Sequence, residues 1–271
     1  MRKTVILFTI LSISILLSSG CDNTSEVIIG PEIDSIKTVI NMELFENLEN
    51  GLRSVQLRCV TDSIFPCPDF LIEYNLSTTS NTLALTFTKI SKPRLCPDGF
   101  APAAAIVSLG VLANISYDFP ITVNSLTIPA QLILTDSTIE ISNGDSTWTD
   151  VVRSVLYRVP VNTIWGQVGY NDPLLRDSAL TFFDSLASLG ATPDTLSSGH
   201  YGYFFIDSTN MIDSILELGP SIGTNSVFSY IYSYAGDTTA LSNLVTAYQN
   251  QSGDLVKVNI ITSDGYQFRS Y

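Results

Sequence analysis

Between residues 34 and 143 no stretch keeps an apolar repeat of 3.6, while short alternating runs follow one another closely. "IKTVINMELF" and "SVQLRCV" flank the turn "ENLENG". Residues 69–76 and 82–89 alternate around "STTSN", and "AAAIVSLG", "SYDFPITV", "AQLILT" and "TIEIS" follow. Seven or eight short strands over about 110 residues predict a β-sandwich over 34–143. The next run, "SNGDSTWTD", is polar and holds an Asn-Gly turn signal, so a linker is expected over 144–152.

From residue 153 the pattern changes to strands alternating with helices. "VLYRVPVNTIWGQVGY" reads as a strand. Asn171-Asp172-Pro173 then opens a helix, a capping residue before an early proline. Leu175, Ala179, Phe182, Leu186 and Leu189 share one face of it, and Gly190 ends it. "YGYFFID" reads as a strand, "MIDSILELG" as a short helix or an irregular link, and "VFSYIYSYAG" as a strand. Asp237 caps a second helix whose Leu241, Leu244, Val245 and Tyr248 share a face, and "LVKVNIIT" and "YQFRS" close the chain. This order, β-α-β-β-α-β over 153–271, resembles the ferredoxin-like α+β fold, with two helices on one side of an antiparallel sheet. In the first half, "IVSLGVLANISYDFPI" resembles the E–F region of immunoglobulin-like domains. That resemblance implies that Tyr117 is a tyrosine corner bonding back to upstream backbone. The expected architecture is therefore two-domain, an all-β immunoglobulin-like sandwich followed by an α+β ferredoxin-like domain.

Cys67 and Cys96 flank the 69–89 hairpin on its open side, each followed by Pro-Asp. They are the preferred disulfide. Cys59 shares a strand face with Val55 and Leu57 and reads as a buried thiol, and a Cys59–Cys67 bridge is the rival. Three cysteines with one histidine do not compose a zinc site, so no metal is expected.

The N-terminus reads as an address. Arg2 and Lys3 precede an uncharged run, Thr4 to Leu17, shorter than the roughly 20 residues that span a bilayer. Ser18, Ser19 and Gly20 follow, and then Cys21. The segment resembles a bacterial lipoprotein signal with a lipobox, although Ser18 stands where that family prefers Leu and Leu17 lies one place further back. The resemblance implies a signal peptide over 1–20 and an acylated Cys21, palmitate included. It also implies a tether over 21–33 and a place in the cell envelope, at the outer membrane or cell surface, with a periplasm-facing position as an alternative.

Without Arg2 and Lys3, 11 basic residues face 26 acidic ones, and the net charge moves from −13 to about −15. Such a surface excludes nucleic acid and electrostatic docking on anionic lipid. The lipid anchor then supplies the membrane contact, with an envelope protein or a glycan as the further partner.

No H-E-x-x-H, P-loop or EF-hand loop is present, and no motif asks for a cofactor. The one histidine, His200, reads as a loop or strand-end residue. The expected function is therefore a non-catalytic binding or structural accessory. A glycoside-directed hydrolase using paired carboxylates is the alternative. Phe228, Tyr230, Tyr232 and Tyr234 alternate, so they share one strand face. They form either an exposed platform that docks a sugar or a protein or the core under the helices. Tyr201, Tyr203 and Phe205 make a second such stripe.

One tripeptide recurs ten times: Asp, then Ser or Thr, then Ala, Ile, Leu, Val, Met or Thr. Composition alone would give roughly two matches. It resembles the O-glycosylation sequon used by Bacteroidota on exported proteins, which implies glycan acceptors at Ser35, Ser63, Ser137, Ser146, Thr195, Ser208 and Ser214. Ser178 and Ser185 lie near the core face of the first helix, and Thr238 follows a capping Asp. Asp-Ser and Asp-Thr also start turns and cap helices without any glycan.

Overall fold

Two-residue loops and alternating burial organise the first half of the chain in the computed structural model, which describes residues 35–216, 222–252 and 255–271. Strand β1 (Ile40–Glu49) turns at Asn50 and Gly51 into β2 (Leu52–Phe65). Both turn residues have positive φ, 51° and 78°. That is the primed-turn geometry that matches strand twist and suits Asn-Gly. The chain continues through β3 (Leu71–Thr78), β4 (Leu83–Ser91), β5 (Ala101–Gly110), β6 (Ser116–Asp118), β7 (Ile121–Val123) and β8 (Leu126–Ile128). Next come β9 (Gln131–Leu134), β10 (Thr138–Ser142), β11 (Thr149–Arg153) and β12 (Val155–Tyr157).

Eight of these strands form one sheet in the order β11-β1-β2-β5-β3-β4-β7-β8, and four form a second, β12-β10-β9-β6. The alternating apolar residues predicted for the sandwich meet in one core. Met42 and Leu44 of β1, Leu57 of β2, Leu85 and Phe87 of β4, Leu132 of β9 and Ile139 of β10 are all buried there. The Cys67–Cys96 disulfide is present, with Cα atoms 5.4 Å apart, and it closes off the β3–β4 hairpin. Cys59 is free and buried, so the rival bridge does not form. Tyr117 is buried; its hydroxyl accepts from the Ala113 amide at 3.0 Å and reaches the Ala113 carbonyl at 3.4 Å.

The expected linker over 144–152 is not a free connection. Thr149–Arg153 is β11 and runs parallel to β1, with Ile40 opposite Thr149. The Ser146 hydroxyl accepts from the amides of Trp148 and Thr149, and the Thr149 hydroxyl donates to the Gly144 carbonyl. These bonds turn the polar run back onto the sheet. It reads as a linker in sequence because β11 is an edge strand with mostly solvent-facing side chains. β12 then pairs with β10, so the two sheets extend to Tyr157.

The second half begins at β13 (Thr163–Tyr170). The long strand expected from 155 is split, with Asn162 at φ 60° between β12 and β13. A short 3-10 turn (Pro173–Leu175) follows, its cap Asp172 accepting from the Leu174 amide. It leads into α1 (Arg176–Ser188), which buries Ala179, Phe182 and Leu186 as predicted and stops before Gly190 at φ 89°. Leu189 stays more than a third exposed.

The chain then runs through β14 (Thr192–Pro193), β15 (Gly199–His200), β16 (Phe204–Ile206), β17 (Ile212–Ile215) and β18 (Ser226–Ser233). It closes with α2 (Thr238–Ser252), β19 (Val256–Thr262) and β20 (Gln267–Arg269). "YGYFFID" is a tight turn rather than one strand, because Gly202 at φ 79° lets the Tyr201 amide reach the Phe204 carbonyl. "MIDSILELG" carries β17 rather than a helix.

One sheet of this half has the order β14-β18-β13-β19-β20, antiparallel throughout, and β15-β16-β17 form a small separate sheet. Both helices pack on the face that carries Ile164, Val168, Val258 and Ile260. A third core, built around Trp165, Tyr203, Phe204 and Ile261, takes in Phe45 and Leu48 of β1. The described residues accordingly cluster as one compact unit. The fold is thus mostly β, in several sheets.

Candidate binding groove

The aromatic stripe on β18 divides into two pairs. Tyr230 and Tyr234 are buried, while Phe228 and Tyr232 are half-exposed. All four face the helices, so the stripe is not an open platform. Tyr230 meets Phe182 of α1 at 5.6 Å between ring centres, and its hydroxyl donates to the Asn259 carbonyl at 2.8 Å. Tyr234 donates to the Asp237 carbonyl. Burial pushes the Tyr230 hydroxyl well above its ordinary pKa, with the neighbouring Tyr232 adding to the effect. Two of the four candidate binding residues are therefore core, because the helix-facing side of a two-layer unit has to be apolar.

Phe228 and Tyr232 lie on β18 beneath Phe183 of α1 and keep part of their surface open. Phe183 of α1 lies nearly parallel to Tyr232, 7° between planes and 6.2 Å between centres, and it meets Phe228 edge-on at 6.3 Å. With Met211 and Ile212 they line a groove of about 320 Å³ that also takes in Ser229 and one carboxylate, Asp194. Met211 is 64% exposed and leaves its apolar side chain open to the groove. Burial and the nearby Asp184 raise the pKa of Tyr232, so its hydroxyl stays neutral in ordinary buffers.

Sequence reasoning found Phe228 and Tyr232 but missed Phe183, Met211 and Ile212. Phe183 was legible as the second ring of a Phe-Phe pair whose first member occupies the core face. The turn that presents Met211 is local, built on Asp207 four residues earlier, but nothing in it shows that the turn faces β18. The Asp207 carboxylate accepts from the Thr209 hydroxyl and from the Met211 and Thr209 amides, which lowers its pKa.

His200 is buried, with Nε2 3.4 Å from a Glu43 oxygen that also pairs with Arg153. Burial first, then Arg153, lower its pKa. Of the second stripe, Tyr201 and Tyr203 are buried. Burial, with Tyr157 beside it, pushes the Tyr201 hydroxyl up to about 12. Among the described residues no three His, Cys, Asp or Glu side chains gather as a metal site.

The repeated tripeptides fall mostly at turns. Ser63, Ser137, Thr195 and Ser208 are exposed, whereas Ser35, Ser146 and Ser214 are half-buried. Several of the preceding Asp side chains accept backbone N–H groups: Asp145 from Val151, Asp207 from Thr209, and Asp237 from Thr239. Ser178 is exposed on α1, Ser185 is half-buried and donates to the Thr181 carbonyl, and Thr238 opens α2. Cys21 lies outside the described residues, as do the leader and the tether. Among the described residues no helix is long and apolar enough to cross a membrane.

No family model, curated protein or solved structure matches this chain.

Proposed function

We propose that the chain is a lipid-anchored cell-envelope protein that binds a partner through the groove between α1 and the edge of β18, without catalysis. The observation that carries this reading is the open wall of Phe183, Phe228 and Tyr232 facing the exposed Met211. Broad apolar rings with polar tips bind by contact area. The anchor is the acylated Cys21, which places the protein at the outer membrane or cell surface, and the acidic surface suits a protein or glycan partner rather than nucleic acid.

In this reading the first half is an immunoglobulin-like sandwich, supported by the Tyr117 hydroxyl bonding back four residues to Ala113. The second half is a ferredoxin-like unit with residues 194–225 inserted. The strand order β14-β18-β13-β19, with α1 and α2 as the two crossovers, supports this. Exposed Ser63, Ser137, Thr195 and Ser208 are the best placed O-glycan acceptors.

Two measurements test the proposal. Intact mass of the native protein is expected to show the leader removed and acyl chains on Cys21, and an unmodified Cys21 overturns the anchor. A photo-crosslinking residue placed at Met211 is expected to give a discrete adduct in cells. The same residue at Leu174, more exposed still but outside the groove, is expected to give none. Identical patterns from the two positions overturn the groove.

A further inference from the structure

The groove borders a sheet edge that is unpaired over much of its length. In a strand the N–H and C=O of one residue point to one side and those of the next residue to the other. The Tyr234 amide donates to the Asn162 carbonyl on the β13 side, and the Ile231 carbonyl accepts from the Asp194 amide on the opposite side. Val227, Ser229, Ile231 and Ser233 therefore direct their backbone groups outward. β14 pairs with β18 only at Ser233 and Tyr232. Among the described residues no hydrogen bond reaches the outward N–H and C=O of Val227 and Ser229.

Natural sheets blunt such edges with charge, proline, bulges or a covering segment. Ser226–Ile231 has no charged residue and no proline, and its register with β13 runs from Ser226 to Ser233 without a shift. The groove walls stand on the two sides of this edge, Phe183, Phe228 and Tyr232 on the helix side and Met211 and Ile212 opposite. A strand laid along the edge would send alternate side chains toward these two walls.

The charge around the groove narrows the occupant. Asp194 lines it, Asp184 lies close enough to act on Tyr232, and no Lys or Arg lines it. A second copy of this chain would bring the same acidic groups to the edge. A glycan offers ring faces but no amide ladder for Val227 and Ser229.

We infer that β18 accepts an extended polypeptide segment as an added strand along Val227–Ile231, with apolar side chains at alternate positions and Lys or Arg at its flanks. This rests on the reading of the groove as the partner site. Main-chain bonds would supply affinity and the two walls would supply selectivity.

The test uses the full chain and a capped peptide, Lys-Val-Thr-Val-Thr-Val-Lys, together with the same peptide N-methylated along one edge. Saturable binding of the unmethylated peptide is expected, with at least tenfold slower hydrogen exchange at the Val227 and Ser229 amides. Ser229→Pro removes one outward N–H at an edge position where proline is tolerated. It is expected to weaken binding at least tenfold while the melting temperature holds. The methylated peptide, which needs no variant, is expected to fail on the wild-type chain.

Four outcomes overturn the inference: no peptide binding, equal binding of the methylated peptide, binding without protection of those two amides, or self-association of the unliganded chain through this edge. Should the Met211 crosslink persist while the peptide fails, strand addition falls and the groove stands. Loss of both removes the groove reading as well.

Discussion

The backbone amide of Leu48, near the end of β1, donates to the hydroxyl of Tyr203 at 2.8 Å, across 155 residues of chain. The Tyr203 ring meets Phe45 at 5.1 Å and Trp165 at 5.4 Å. One side chain from the β15–β16 turn thus joins β1 to the sheet that carries the groove. Tyr203→Phe keeps the ring and leaves the buried Leu48 N–H without this acceptor. A loss of about 1–3 kcal/mol is expected, read as a lower urea midpoint with an unchanged slope.

Glu46 is a buried carboxylate held by two guanidinium groups. One of its oxygens lies 2.8 Å from Nη2 of Arg158 and accepts from Nε at 2.9 Å, while Arg53 approaches the other at 3.5 Å and also donates to the Val159 carbonyl. Glu46→Gln removes the charge without changing the shape and leaves two guanidinium groups without their anion, with only neutral acceptors at Asn114, Thr135 and Val159. Breaking a buried pair in this way costs about 3–5 kcal/mol. Chemical denaturation is expected to show it, and Arg153→Gln, on the exposed Glu43 pair, is expected to cost about 1 kcal/mol or less.

Cys67 and Cys96 lie 29 positions apart, and their bridge restricts the unfolded chain. Chain entropy puts its contribution at about 3–4 kcal/mol. Reductant or the Cys67→Ala/Cys96→Ala pair is therefore expected to lower the melting temperature by similar amounts. Cys59 is buried, and burial pushes its thiol far above the ordinary range. Peptide mass spectrometry after iodoacetamide is expected to find it unmodified in the native chain and modified in concentrated urea.

His200 is expected to make the fold sensitive to mild acid. Burial and Arg153 lower its pKa in the folded state, Arg58 acts in the same direction, and Glu43 opposes them. The unfolded chain therefore binds this proton first as pH falls. Stability is full above the unfolded value of 6.5. It declines below that value until pH passes the folded value, where the loss levels off. His200→Gln is expected to flatten the pH dependence of the urea midpoint across that window, and a wild-type slope in the variant would assign the effect to other groups.

Local chemistry was legible where a few neighbouring residues decide the outcome. Asn50-Gly51 marked its hairpin, the apolar spacing of Ala179, Phe182 and Leu186 marked the buried face of α1, and the two Cys-Pro-Asp sites around one hairpin marked the disulfide. Tyr117 was readable for the same reason, since its partner Ala113 is four residues away. The stripe from Phe228 to Tyr234 was also visible as a shared face, but its sequence was compatible with either exposure.

Tertiary structure decided the rest. Thr149–Arg153 became a strand only because β1, more than a hundred residues earlier, offered an edge. Tyr203 and Glu46 became joints only through partners far along the chain. The groove exists because Phe183 of α1 stands over Phe228 and Tyr232 at the outer edge of β18 and the Asp207 turn brings Met211 to the same edge. Periodicity along a chain records which way a side chain points relative to its neighbours. What lies in that direction, another layer or open water, is set by contacts between segments distant in sequence, and no local pattern encodes them.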